Sequence, residues 1–217
     1  MQIHYLGDQN SILNQFILEL RDIEIQKDPM RFRRNIERVG EVLCYELSKT
    51  LEYRTRTVKT PLGTTTMSVP VSPLVLCSVL RAGLPLHQGL LNYFDGAENA
   101  FISAYRHHPD GGDAFEVIVK YFAAPALNGK TLVLTDPMLA TGKTLENVLS
   151  ALKAHGDPAQ IHILSVIGSK KGIAHVKDVF PDKTHLWIAA VDDTLSSKGY
   201  IIPGLGDAGD LSFGMKL

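Results

Sequence analysis

An α/β fold, a mainly parallel sheet flanked by helices, is what this sequence predicts, and three observations carry the expectation. From about residue 74 onward, strand-like and helix-like segments alternate in the order β-α-β-α-β, the pattern that builds parallel sheets through helical crossovers. Leu132, Val133 and Leu134 form a short unbroken apolar run, as in a strand covered on both faces. Leu145, Val148, Leu149 and Leu152 then recur at helical spacing, giving the next segment one apolar face to lay on that sheet.

Taken in order, the chain opens with an N-terminal helical segment. Ser11 can cap a helix that carries Ile12, Leu13, Phe16, Ile17 and Leu20. Asp28-Pro29 starts a longer one, on which Phe32, Ile36, Val39, Leu43 and Leu47 make an amphipathic stripe. Residues 52–59 and 64–70 flank Pro61-Leu62-Gly63 and read as a β-hairpin. A strand at 74–80, a helix at 84–94 and a strand at 99–105 follow. Residues 114–122 are a candidate extra strand within a long flap-like excursion over 107–122. Then come a strand at 131–135, a helix at 143–155, a strand at 160–167, a helix at 171–179 and a strand at 185–191. A chain of 217 residues with 45% hydrophobic content is long enough for one sizeable core, so residues 1–217 are expected to form a single domain.

Composition excludes several classes. A formal net charge of -1 leaves no electrostatic footprint for non-specific nucleic-acid binding. Arg31, Arg33, Arg34 and Arg38 cluster on the second helix and read as a solvated face. Neither a signal pattern nor a bilayer-length apolar run is present, which predicts a soluble, cytoplasmic protein without membrane partners. Cys44 and Cys77, the two cysteines, fall in helix and strand patterns and read as reduced core residues. The histidines show no metal-ligand spacing, and the adjacent His107 and His108 read as part of a polar loop.

Ligands of parallel α/β sheets bind beyond the carboxyl ends of the strands, so the loops after strands are the informative ones. Asp136 follows the 131–135 strand, and Ala140, Thr141, Gly142, Lys143 and Thr144 lead into a helix. These small or hydroxylated residues let backbone N–H groups wrap an anion at a helix N-terminus. Gly142-Lys143-Thr144 matches the end of a nucleotide-triphosphate P-loop, but Pro137 stands where the first glycine belongs and has no N–H to donate. An ordinary capped turn would explain the TGKT string alone. Arg81, in Leu80-Arg81-Ala82-Gly83, and Arg106 each stand at a strand end, and two such arginines suit a diphosphate. The glycine-rich stretch from Gly199 to Asp210 reads as a packed, folded-over loop, since Tyr200, Ile201, Ile202 and Leu205 punctuate it.

With these residues in view, the sequence resembles the uracil phosphoribosyltransferases over nearly its whole length. VLRAGL, DPMLATG and GYIIPGLGDAGD stand in that family's order and spacing, and FRRNIERVGEVLCYELSKTL followed by TPLGT resembles its N-terminal region. The resemblance implies a type I phosphoribosyltransferase-like fold and transfer of the phosphoribosyl group from 5-phosphoribosyl 1-diphosphate (PRPP) to N1 of uracil, giving UMP and diphosphate. Arg81 and Arg106 match the diphosphate arginines and Asp136 the carboxylate on the ribose hydroxyls. Pro137, Met138, Leu139, Ala140, Thr141, Gly142, Lys143 and Thr144 match the 5-phosphate loop. Ile201, Gly206 and Ala208 match positions whose backbone reads uracil, and Asp207 lies between base and donor. Arg81, Arg106 and Asp207 are thus the expected catalytic set. The resemblance further implies Mg²⁺ held mainly through PRPP, a homodimer or homotetramer, GTP as a candidate effector, and a cis peptide within Val79–Gly83.

The chain departs from the family at Lys143 and Thr144, at Pro85, Leu86 and Gln88, across the segment HHPDGGDAFEV, and at Leu211. Those changes bear on the flap and on regulation, and they keep a non-catalytic or regulatory nucleotide-binding homologue as the rival expectation. An RNA-binding regulator is disfavoured by the neutral charge balance, and a P-loop kinase by Pro137.

Overall fold

The computed structural model describes residues 1–107 and 116–216. The chain begins with a short strand, β1 (Gln2–Tyr5), followed by α1 (Ile12–Arg21) and α2 (Pro29–Ser48). The capping residues work as the sequence predicts. Ser11 accepts from the Leu13 N–H, and Asp28 accepts from the Met30 and Arg31 N–H groups, satisfying donors that a helix start leaves free. A hairpin of β2 (Tyr53–Thr60) and β3 (Gly63–Pro70) comes next, almost wholly exposed. β4 (Leu74–Leu80), α3 (Leu84–Leu91) and β5 (Glu98–His107) form the first crossover, and β6 (Glu116–Ala123) returns antiparallel beside β5.

The second half runs through β7 (Thr131–Thr135), β8 (Met138–Leu139), α4 (Lys143–Leu152), β9 (Gln160–Ser169), α5 (Lys170–Val179) and β10 (His185–Asp192). It closes with β11 (Thr194–Leu195), β12 (Ile201–Ile202) and α6 (Ala208–Phe213). The main sheet has the order β1-β10-β9-β7-β4-β5-β6, with β8 also paired to β9. Every pairing is parallel except β5 with β6.

Alternation along the central strands sorts their side chains onto two faces. Leu74, Leu76, Leu164 and Val166 pack with α1, α2 and α3 through Leu13, Leu20, Ile36, Leu43 and Leu86. Val75, Cys77, Ile161 and Ile163 pack on the other side with Leu145, Val148, Ile173 and Val176 from α4 and α5. Both cysteines are free and buried, and burial pushes each thiol up to about 12, which suits inert core residues. Among the described residues no helix is long and apolar enough to cross a membrane.

Some elements differ from the sequence expectation. β1 carries only Ile3 and Tyr5 as apolar residues, too few to signal a strand; it forms because the edge of β10 accepts it in register, Gln2 to His185 through Tyr5 to Ile188. The basic cluster on α2 is not a merely solvated face. Arg31 makes a paired contact with the buried Glu19 carboxylate at 2.8 Å, and Arg33 donates to the Ser212 carbonyl at 2.6 Å. Hydrogen bonds from three side chains, led by Arg31 and followed by Gln15 and Asn35, lower the Glu19 carboxyl to about 2.

Candidate active site

Because the central strands are parallel, their carboxyl ends share one edge of the sheet, and the segments after β4, β7, β9 and β10 leave from there. β7 ends at Thr135 and delivers Asp136, which is buried and whose Oδ1 accepts the Met138 N–H at 3.2 Å. Met138 and Leu139, expected within a loop, instead pair with Ile167 and Gly168 as β8. The Pro137 carbonyl accepts from the N–H groups of Val166 and Ile167. Leu139 and Ala140 are buried, while Thr141, Lys143 and Thr144 reach the surface. The loop is thus anchored from below and polar above. Thr141 Oγ1 lies 3.4 Å from the Lys143 N–H, and α4 starts at Lys143. Gly142 caps that helix at φ 80°, where a Cβ would stand 2.8 Å from the His175 ring; only glycine takes this left-handed position without penalty. The first N–H groups of α4 are therefore presented at the edge of the sheet, as anion binding requires.

Two loops meet beside this one. Arg81 follows β4 across a cis Leu80–Arg81 peptide, within the segment where the sequence resemblance places one. Its Nη2 donates to Asp210 Oδ1 and to the Gly214 carbonyl, both at 3.1 Å. Asp207 caps α6 by accepting the Asp210 N–H at 3.0 Å, and Lys216 Nζ reaches Asp207 Oδ2 at 3.0 Å. Burial works to raise the Asp207 carboxyl, but the Asp210 and Gly209 N–H groups together with Lys216 outweigh it and hold the acid below its usual value. A Cβ on Gly209 would be 3.8 Å from the Ala82 Cβ, so the turn after β4 and the start of α6 lie against each other. In the stretch leading into α6, Ile201, Leu205 and the first helical residue, Ala208, are buried and Gly206 is exposed; Tyr200 and Ile202, expected to pack, are exposed as well.

Arg106 is placed by its backbone in β5, in register with Val117. Its side chain, and the flap residues 108–115 that include His108, lie outside the described residues. A hollow of about 720 Å³ lined by Tyr5, Asp8, Arg21 and Val191 lies between α1 and β10, and its lining includes none of Arg81, Asp136 or Asp207.

Several contributors carry no motif. Ser165 Oγ donates to the Asp136 carbonyl at 2.6 Å and Ser169 Oγ to the Ala140 carbonyl at 2.5 Å. Both serines are buried on β9, four residues apart and so on one face. In the sequence, Ser165 is a hydroxyl interrupting the apolar run expected over 160–167, and Ser169 lies just past it. Arg21 and Asp192 form a second such pair, described below.

A mainly parallel sheet with an acid-bearing, glycine-capped loop after one strand, an arginine turn after its neighbour and a glycine-rich stretch lying against that turn is the arrangement of the phosphoribosyltransferase class. The profile of the uracil phosphoribosyltransferase family matches residues 8–215. The uracil phosphoribosyltransferase of Porphyromonas gingivalis is 51% identical over 217 residues, covering all of both chains. That of Methanothermobacter thermautotrophicus is 40% identical over 190 residues, 86% of this chain and 85% of its own. Among solved structures, the AQ2163 protein from Aquifex aeolicus superposes with a TM-score of 0.87 at 28% identity over the whole of both chains. A hypoxanthine phosphoribosyltransferase from Staphylococcus aureus shares the fold, with a TM-score of 0.50 at 14% identity, covering 86% of this chain and 84% of its own. The chain belongs to the uracil phosphoribosyltransferase family.

Proposed function

We propose that the chain, as one domain over residues 1–217, transfers the 5-phosphoribosyl group from PRPP to N1 of uracil, giving UMP and diphosphate. The observation that carries this reading is the meeting of three loops, those holding Asp136 to Thr144, Arg81 and Asp207, at one edge of the sheet. The Gly142 to Thr144 N–H groups and the Thr141 and Thr144 hydroxyls bind the 5-phosphate, Asp136 meets the ribose hydroxyls, and Arg81 with Arg106 takes the diphosphate. Ile201, Gly206 and Ala208 present backbone groups to the base.

Departure of diphosphate from the anomeric carbon leaves an oxocarbenium-like centre, so the chain's task is mainly electrostatic. Arg81 answers the charge building on the leaving group. Asp207 is held ionised by its N–H donors and Lys216, which favours stabilising the developing cation over abstracting the N1 proton, since an acid of lowered pKa is a weak base. Arg81 already faces Asp210 and the Gly214 carbonyl, and in this reading it exchanges those partners for diphosphate.

The site fits a magnesium ion carried by the donor. Asp136, Asp207 and Asp210 offer oxygen atoms, and no group of three or more His, Cys, Asp or Glu among the described residues forms a cage. An ion held through diphosphate oxygens and water needs no more, and when bound it neutralises charge on the leaving group. The exposed two-stranded hairpin β2–β3 has little of its own chain to pack on, and such ribbons are marginal alone, which supports a homodimer or homotetramer. The reading also takes the protein as cytoplasmic and open to GTP as an effector. Incubating purified protein with Mg²⁺, PRPP and uracil tests it: UMP and diphosphate should appear in equal amounts, and a failure to form UMP would instead favour a binding or regulatory homologue.

A further inference from the structure

The Arg21–Asp192 pair belongs to none of the motifs read in the sequence, yet it bonds directly to Gly204 in the loop proposed to hold the base. Arg21 is the last residue of α1, and Asp192 is the last of β10. The guanidinium grips the carboxylate through two bonds, Nη1 to Oδ2 at 2.9 Å and Nη2 to Oδ1 at 2.8 Å. The Asp192 side chain is only 8% exposed. An ordinary ion pair fixing a helix to a sheet would stop there. This one continues: Arg21 Nη1 also donates to the Gly204 carbonyl at 3.1 Å, and the Gly204 N–H donates to Asp192 Oδ2 at 2.8 Å. Both polar groups of one peptide residue are thus held by one bidentate pair.

Gly204 is the pivot of the loop. It follows the cis Ile202–Pro203 bond and adopts φ 64°, and a Cβ there would collide with the Ile201 carbonyl oxygen. It lies between Ile201 on one side and Gly206, Asp207 and Ala208 on the other, the groups assigned above to the base. The N-terminal segment reaches the loop a second time through Gln26. That amide donates to the Leu20 and Arg21 carbonyls, and its Oε1 lies 3.7 Å from where a Gly206 Cβ would be. Burial works to raise the Asp192 carboxyl, but Arg21 and the Gly204 N–H outweigh it, so the clamp is ionised.

We propose that Arg21 and Asp192 are positioning residues for uracil: the pair fixes Gly204 and thereby sets the backbone groups of Ile201 to Ala208 at the spacing the base edge requires. This rests on the reading of that loop as the base site. A backbone donor displaced by about 1 Å can lose on the order of a hundredfold in rate, and an arginine fork cannot be replaced by a lysine point charge.

The test uses full-length Arg21→Lys and Asp192→Asn, with Arg21→Ala as the harsher variant. Wild-type turnover of uracil is measured first, so that failure of the functional reading is seen separately. Equilibrium binding of UMP is then compared with that of ribose 5-phosphate, which lacks the base. We expect UMP affinity and the uracil KM to worsen about tenfold or more, while ribose 5-phosphate affinity and the PRPP KM stay within about threefold. Asp192→Asn keeps the shape and one acceptor, so it should be the milder variant. Equal losses for UMP and ribose 5-phosphate would show a general structural tie and overturn the proposal, as would unchanged kinetics in Arg21→Lys. Thermal melting confirms that the variants compared are folded.

Discussion

Replacing Arg81 with alanine separates stability from donor binding. In the free protein its guanidinium faces Asp210 and the Gly214 carbonyl with the side chain 43% exposed, and an ion pair that open to water is worth about 0–1 kcal/mol. The fold should scarcely register its loss. On the proposed reading, the same group makes a charge-assisted hydrogen bond to bound diphosphate worth about 1.5–3 kcal/mol, which converts to roughly 10- to 150-fold in kcat/KM for PRPP. Arg81→Lys retains charge without the planar fork and should fall between. Steady-state kinetics with PRPP varied at saturating uracil, alongside a urea melt, reads both quantities. A variant whose stability drops by several kcal/mol while its PRPP kinetics hold would refute the reasoning, because Arg81 would then be a structural tie to α6.

The remaining predictions concern the phosphate loop and the core. Gly142→Ala forces a Cβ into the left-handed region against His175, costing about 1–2 kcal/mol of stability, and should raise the PRPP KM; an unchanged melt and KM would show that the loop relaxes freely. Lys143→Gly should keep activity within about threefold if, as proposed, backbone N–H groups carry the 5-phosphate; collapse of turnover, or ATP hydrolysis by the parent protein, would favour a kinase-like loop. Burial, with His185 and His4 adding to it, lowers His162 to about 3 from 6.5, so the folded chain keeps it neutral while the unfolded chain takes up a proton. Stability should therefore fall as pH drops below about 6.5, by about 1.4 kcal/mol per pH unit from this group. His162→Gln should flatten that slope in urea melts at pH 7.5 and 5.0; an equally steep loss in the variant would assign it elsewhere.

How much the sequence disclosed depended on whether the signal was local. The strand-loop-helix unit from Thr131 to Leu152 was legible because apolar run, acid, small residues and helical spacing all lie within one short window. The caps at Ser11 and Asp28 were legible for the same reason. β1 was not, because its apolar content is meagre and its partner, β10, lies at the far end of the chain. Ser165 lies within the strand expected over 160–167 and Ser169 beyond it, and no motif singles out either; that they hold the Asp136 and Ala140 carbonyls depends on β9 lying beside β7 and β8. Arg21 and Asp192 are 171 residues apart, and no spacing rule joins them. Arg33 fell within a cluster that periodicity assigns to solvent, and its bond to Ser212 exists only because α6 returns to α2.

Base discrimination tests the central claim most directly. Uracil offers acceptor, donor and acceptor at O2, N3 and O4, whereas cytosine has an acceptor at N3 and an amino donor at C4. A loop that reads the base with fixed backbone groups meets two mismatches in cytosine, each costing about 1–3 kcal/mol when buried. With PRPP and Mg²⁺ held constant, the ratio of kcat/KM for uracil to that for cytosine is the measurement. A ratio on the order of a thousand or more is expected, with 5-fluorouracil accepted because its reading edge is unchanged. Cytosine converted within about tenfold of uracil would contradict it, since a single buried mismatch already exceeds that margin at the upper end of its range.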